Sequence, residues 1–208
     1  MTVAEIIEKV EKVDKKTNYW FVRTDNGKYF DDFTLGNYIA IGWNYFTLSE
    51  LEKNDVVYIK TKIANQEDFD IDKASDKTKI TAAYNKIQTF LNLKKDDVII
   101  VPSRNSDRLA FGKIEDTRAY EDKDQILGGT FFKRRKVNWY EIKDMRSLNP
   151  IFYQIKSNQH AISNIDKYAP YIDKVMENLF IKDNNTHYVL DIEKNGSINF
   201  CKIGPKVD

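Results

Sequence analysis

"NYWFVRTDNGKYFDDF", residues 18–33, begins as a strand and breaks at Asp25-Asn26-Gly27 into polar, charged text. "YIAIGWN", residues 38–44, is a second short apolar run and ends in Gly42-Trp43-Asn44. β-Branched and aromatic residues bounded by Asn, Asp and Gly predict short strands joined by tight turns. Between them, "KYFDDFTLGN" predicts a short helix with Tyr29, Phe30 and Phe33 on one side, ended by Gly36-Asn37. The aliphatic density of "YIAIGW" predicts a strand buried on both faces. Each strand carries a tryptophan near an end, Trp20 and Trp43. A Trp buries a large apolar area, so core packing is the reading that any other role must displace.

Working outward, "VAEIIEKVEKV" (3–13) places Val3, Ile6, Ile7, Val10 and Val13 at helical spacing. A helical turn at "LSELEKN" leads into "DVVYIKTKI" (55–63), which reads as a strand. Residues 65–79 are acidic and irregular and read as a mobile loop. "KITAAYNKIQTFLNL" is the clearest helix, with Ile80, Ala83, Tyr84, Ile87, Phe90 and Leu91 in one stripe. Then come three strand-like runs: "KKDDVIIVPS", "RLAFGKIED" and "KRRKVNWYEI". Short strands separated by turns predict a small barrel or a strongly bent sheet within an α+β fold.

The character changes near residue 143, which divides the chain into 1–143 and 144–208. From Ile151 to Leu179, apolar residues recur at helical intervals, and Pro170 either starts a new helix or kinks the old one. "THYVLDIE", a turn at Asn195-Gly196 and "SINFCKI" predict a terminal β-hairpin. The second part therefore reads as a helical appendage with a hairpin.

The 208 residues carry 33 Lys and Arg against 32 Asp and Glu, a net charge of +1. No global field points to nucleic acid, so a basic surface must be local. A single cysteine, Cys201, forms no intrachain disulfide and suits a reducing cytoplasm. The charged N-terminus lacks a signal-peptide core, and no apolar run approaches the ~20 residues of a membrane span. The expectation is a cytoplasmic chain with no membrane partner.

Catalytic signatures are sparse. His160 and His187 with one cysteine do not build the common zinc sites, and no motif supports a Cys201–His187 pair. "ILGGTFF" lacks the Lys and helix context of a phosphate loop. Asp116, Glu121 and Lys123, or Asp191, Glu193 and Lys194, have the residue types of a metal-dependent nuclease, but among 32 acidic residues such triplets arise by chance and solvated loops explain them well. The expectation is no catalytic residue, no metal and no cofactor. The basic tetrad Lys133-Arg134-Arg135-Lys136 runs into Trp139. It reads either as a charged edge strand or as a phosphate-contacting ridge beside an aromatic platform, and the tetrad alone leaves both open.

In order along the chain stand "YWFVRT", "FDDFTLGNYIAIGW", a helix followed by "DDVIIVPS", "AFGKIED" and "FFKRRKVNWYE". Over residues 18–143 this order resembles the EVE-like branch of the PUA-like superfamily, related to YTH domains. Such modules often stand at the N-terminus of prokaryotic modification-dependent restriction and defence proteins. The resemblance implies a bent β-barrel flanked by helices, with a pocket for a modified base flipped out of nucleic acid, DNA before RNA. Flipping costs a few kcal/mol of stacking, which aromatic faces and edge contacts must offset. Trp20, Trp43 and Trp139 are then candidates for a stacking cage. Asn44 and Ser103 would read the base edge, and Pro102 would lie on the rim. Arg23, Arg104, Lys133, Arg134, Arg135 and Lys136 would hold the backbone. The implied function is a non-catalytic reader in anti-phage defence, partnered by an effector nuclease or ATPase in the same chain or operon. The alternatives are a sensor that binds a small nucleotide signal, and a metal-dependent nuclease.

Overall fold

The computed structural model describes residues 17–123, 130–157, 160–183, 187–192 and 198–203. The helix expected at 3–13 and the turn at Asn195-Gly196 lie outside these residues. The chain divides into two compact units between Asp166 and Lys167.

The first unit is α+β, with a sheet curled into a half-barrel and helices beside it. The strands are β1 (Tyr19–Val22), β2 (Tyr38–Ile41), β3 (Val98–Pro102), β4 (Arg108–Ile114), β5 (Tyr120–Glu121), β6 (Lys133–Asp144) and β7 (Ile162–Asn164). Their order is β2-β6-β4-β3-β1-β7, with β5 also on β6. β6 produces the curl. Its first residues pair antiparallel with β2, Ile41 opposite Lys133 through Tyr38 opposite Lys136. Its remainder pairs with β4, and the register slips between Phe111 and Gly112. Such a bulge bends a strand and sharpens its twist. Gly112 is required there: a Cβ would meet Val137 Cγ1 at 2.6 Å, Trp139 Cε3 at 2.7 Å and the Asn138 oxygen at 2.8 Å.

β2 is buried along its whole length, as its aliphatic density predicts. β1 runs parallel to β3, Tyr19 opposite Val98, and antiparallel to β7. A parallel pair needs a long connection. Here that connection carries α1 (Phe30–Leu35), β2, α2 (Leu48–Glu52), α3 (Val56–Gln66) and α4 (Ala74–Leu91). In α4, Ile80, Ile87 and Phe90 are buried, and Ala83, Tyr84 and Leu91 pack against the core beside them, the expected stripe.

Three local expectations are corrected. "DVVYIKTKI" forms α3 and not a strand. Asp55 caps the helix by accepting from the Tyr58 amide at 3.0 Å, and Ile59 and Ile63, one turn apart, are both buried. Val56, Val57 and Tyr58, whose β-propensity favoured a strand, remain exposed. The 65–79 segment is mostly ordered by local contacts. Only Glu67–Lys73 stand between α3 and α4, Phe69 packs on the core, and Asp76 accepts from the Asp70 amide at 3.3 Å. The stripe from Ile151 to Leu179 is not one helical run. After α5 (Phe152–Lys156), Ile162–Asn164 join the sheet as β7. The chain beyond residue 143 thus continues into the half-barrel before the division at Asp166.

The second unit contains α6 (Ala169–Asp183), with Pro170 in its first turn, and a hairpin. In the hairpin β8 (His187–Ile192) pairs with β9 (Ile198–Ile203), His187 opposite Ile203 and Val189 opposite Cys201.

Candidate functional site

A cleft of about 630 Å³ opens at the end of β2. Ala40, Ile41 and Gly42 contribute its apolar lining, with Trp43 and Phe131 as aromatic walls. The segment after β1 brings Arg23, Asp25 and Asn26, while Glu67 and Lys86 come from the end of α3 and from α4. Aromatic surface, two cations, two carboxylates and an amide therefore converge on one concavity. A pocket of this kind suits a planar ligand with a polar edge.

Two features of the backbone shape it. Trp43 has φ +56°, a left-handed conformation that is an outlier for a bulky side chain and costs roughly 1–3 kcal/mol. Its carbonyl oxygen is held from two sides, accepting from the Phe46 amide at 3.0 Å and from Lys133 Nζ at 3.1 Å. Asp25, Asn26 and Gly27 are also left-handed, at φ 49°, 54° and 86°. Gly27 has no alternative, since a Cβ would lie 2.1 Å from the Arg104 nitrogen. The turn is thereby pressed against the loop that follows β3, and its side chains project at the cleft.

The sequence candidates separate into different places. Trp43 and Arg23 line the cleft. Asn44, next to Trp43, is exposed and clamps the opposite segment: its amide donates to the Thr130 oxygen and accepts from the Phe132 amide at 3.4 Å. Trp20 is elsewhere, beside Asn85, Gln88 and Thr89 of α4, its indole donating to Asp97 at 3.0 Å. Trp139 donates to the Phe33 oxygen at 2.9 Å and covers Gly112. The three tryptophans do not form one cage. Ser103 is buried, donates to the Asp107 carboxylate and accepts from the Arg108 amide at 3.0 Å, which closes its own loop. Pro102 offers its carbonyl to the Thr24 hydroxyl at 2.8 Å. Arg104 is exposed on the neighbouring loop.

The basic tetrad is not a surface ridge. Lys133, Arg134 and Arg135 are at most 1% exposed, and only Lys136 reaches solvent. Arg134 meets Asp122 at 2.6 Å and lies 4.2 Å from the centre of the Tyr38 ring. Arg135 meets Asp116 at 2.7 Å and donates to the Phe90 and Leu91 carbonyls, both at 3.2 Å, at the end of α4. Glu121 stands 3.9 Å from Lys133. Burial of an ammonium disfavours its charge, and this lowers the Lys133 pKa against the opposing pull of Glu121. Two of the carboxylates considered for a nuclease, Asp116 and Glu121, thus face the tetrad. Among the described residues, no group of three or more His, Cys, Asp or Glu is placed to hold a metal ion. No helix among them is long and apolar enough to cross a membrane.

The family model described as a domain of unknown function, DUF8426, matches residues 20–166, well over half of the chain. The chain belongs to the DUF8426 family. The matched span ends at Asp166, where the first compact unit ends, so the DUF8426 domain and the half-barrel unit share a boundary. No curated protein and no solved structure matches the chain.

Sequence reasoning missed Asp25, Asn26, Glu67, Lys86 and Phe131 in the cleft. The first two carried a signal, because an Asp-Asn-Gly turn directly after a strand commonly adopts left-handed backbone. The others arrive from distant segments, and no local pattern marks them.

Proposed function

We propose that this DUF8426 domain is a non-catalytic reader that receives a flipped, modified base in the cleft beside Trp43, on a PUA/EVE-like half-barrel. The supporting observation is the left-handed Trp43 at the cleft, joined there by Phe131 and by the polar groups of Arg23, Asp25 and Asn26. An aromatic face recovers stacking lost on flipping, and mixed donors and acceptors match the edge of a base. DNA is the preferred nucleic acid, and prokaryotic anti-phage defence with an associated effector is the proposed setting. A small-nucleotide signal would use the same cleft and is the competing ligand.

The test measures binding and thermal unfolding on the same proteins. Labelled oligonucleotides with one modified base, their plain counterparts and free nucleotides are titrated against wild type, Trp43→Ala and Trp43→Phe. Stacking is worth roughly 1–3 kcal/mol per base, so Trp43→Ala should lose about tenfold or more in affinity and its base preference. Trp43→Phe should keep part of both. A folded Trp43→Ala protein with full binding overturns the proposal, and tight binding of nucleotides alone transfers the cleft to the signal reading.

A further inference from the structure

The turn at Asp25-Asn26-Gly27 has two sides. On one lies the cleft. On the other is a groove of about 500 Å³ lined by the same turn and by Lys28, Asp31, Arg104 and Arg108. Asp25 and Asn26 border both concavities, so a ligand seated beside Trp43 reaches the groove by crossing the turn. Lys28, Arg104 and Arg108 are all exposed. Among the described residues, no carboxylate oxygen comes within 4.0 Å of any of the three, although the charges of Asp25 on Lys28 and of Asp107 on Arg108 are felt at longer range. This contrasts with Lys133, Arg134 and Arg135, which are buried and face carboxylates. Asp25 and Asp31 also line the groove, so its lining carries three cations and two carboxylates, with Asp107 next to Arg108 outside the lining.

Close backbone contacts shape the groove wall. Gly27 touches the backbone of Ser103 and Arg104, and Asn105 and Ser106 are left-handed at φ 62° and 52°. Ser103 ties the loop together by accepting from the Arg108 amide and donating to the Asp107 carboxylate, which stays charged beside Arg108. The Arg108 guanidinium lies 5.4 Å from the centre of the Phe30 ring, which limits its range of positions. Exposed cations with no carboxylate in direct contact, beside a ligand cleft, fit the phosphate oxygens of that ligand.

We infer that Lys28, Arg104 and Arg108 bind the phosphates flanking a base in the cleft, so that the strand backbone crosses the Asp25-Asn26-Gly27 turn. This rests on the cleft as the base site. The phosphate contacts position the strand, and the cleft reads the base.

The experiment compares wild type, Lys28→Gln, Arg104→Gln, Arg108→Gln and the Arg104→Gln/Arg108→Gln double variant. Probes are a labelled single-stranded oligonucleotide with one modified base, the modified nucleoside and its 5′-monophosphate. Exposed side chains leave the thermal melt near wild type, which is checked first. The double variant should bind the oligonucleotide at least tenfold more weakly at low salt. Its slope of log affinity against log salt should flatten by about 0.7 per cation removed. Nucleoside binding should be unchanged.

An unaltered slope and affinity overturn the inference and leave the cleft reading standing. A flattened slope with no base preference and no effect of Trp43→Ala supports the groove and rejects the cleft. If the arginines matter only for the monophosphate and no oligonucleotide binds, the groove serves a free nucleotide and the strand path is overturned. Failure of every probe to bind overturns the inference.

Discussion

Lys133 donates from Nζ to the carbonyl oxygen of Trp43 at 3.1 Å, so a buried ammonium grips the backbone of the residue that walls the cleft. A hydrogen bond from a charged donor is worth roughly 1.5–3 kcal/mol, comparable to the cost of a left-handed Trp. Lys133→Met should release that conformation and weaken cleft binding about tenfold, while Lys133→Arg should retain part of it. The pH dependence has a definite sign. Because burial lowers the folded pKa below 10.5, the unfolded chain holds a proton the folded chain lacks in the window between them. Stability therefore rises with pH up to about 10.5 through this group. Burial raises the pKa of Tyr38, Tyr45 and Tyr120, and their slope is opposite. It is common to wild type and Lys133→Met, so the difference between their urea midpoints isolates the lysine. A difference that does not vary with pH contradicts this account.

Trp139 should behave as a packing residue. Gly112→Ala drives a Cβ into the Asn138 carbonyl, which is backbone and cannot rotate away, and should cost about 1–3 kcal/mol. Trp139→Ala removes the indole over Gly112 and should cost roughly 3–5 kcal/mol. Both losses should show in equilibrium unfolding, with ligand affinity of the folded fraction unchanged. Lost affinity without lost stability would return Trp139 to the binding site.

Arg135 joins β6 to the C-terminal end of α4. Arg135→Gln strands the Asp116 carboxylate and two helix carbonyls, and should cost about 3–5 kcal/mol. Asp116→Asn combined with Arg135→Gln should cost less than the sum, because the two residues share one interaction. Denaturant unfolding of the four proteins checks this. A stable Arg135→Gln protein that loses only nucleic-acid binding would restore the tetrad as a ligand surface.

Glu50 stabilises the start of α2 at neutral pH. Lys62 at 2.7 Å, the Thr47 amide and the Tyr58 hydroxyl hold its carboxyl well below the usual carboxylate range. A depressed folded pKa contributes stability above the unfolded value of 4.5 that is lost as pH falls through the folded one. The stability gap between wild type and Glu50→Gln should therefore be widest near neutrality and shrink below pH 4.5. Unfolding midpoints measured across the acid range decide it. A gap independent of pH would reduce Glu50 to an uncharged cap.

The half-barrel was legible where a single segment states its own environment. "YIAIGW" is apolar on both faces because β2 is covered on both, and the stripe from Ile80 to Leu91 repeats at helical spacing because α4 has one buried side. α3 misled because Val56, Val57 and Tyr58 favour strands, while the deciding signals were the Asp55 cap and the one-turn spacing of Ile59 and Ile63. β7 was hidden because Ile162 fits a helical interval, and only its pairing with Val22 makes it a strand.

Charge was the hardest property to read. Four adjacent basic residues look solvated in one dimension, because a lone charge is costly to bury. The segment from Asp116 to Asp122 removes that objection by bringing carboxylates to Lys133, Arg134 and Arg135. What the sequence alone determined was the alternation of strands, turns and the α4 helix, together with an Asp-Asn-Gly turn suited to left-handed backbone. These depend on neighbours a few residues apart. Tertiary structure alone decided which tryptophan lines a cleft, which cations are buried against carboxylates and which remain exposed. Those outcomes depend on partners such as Trp43 and Lys133, 90 positions apart in the chain, which no local pattern encodes.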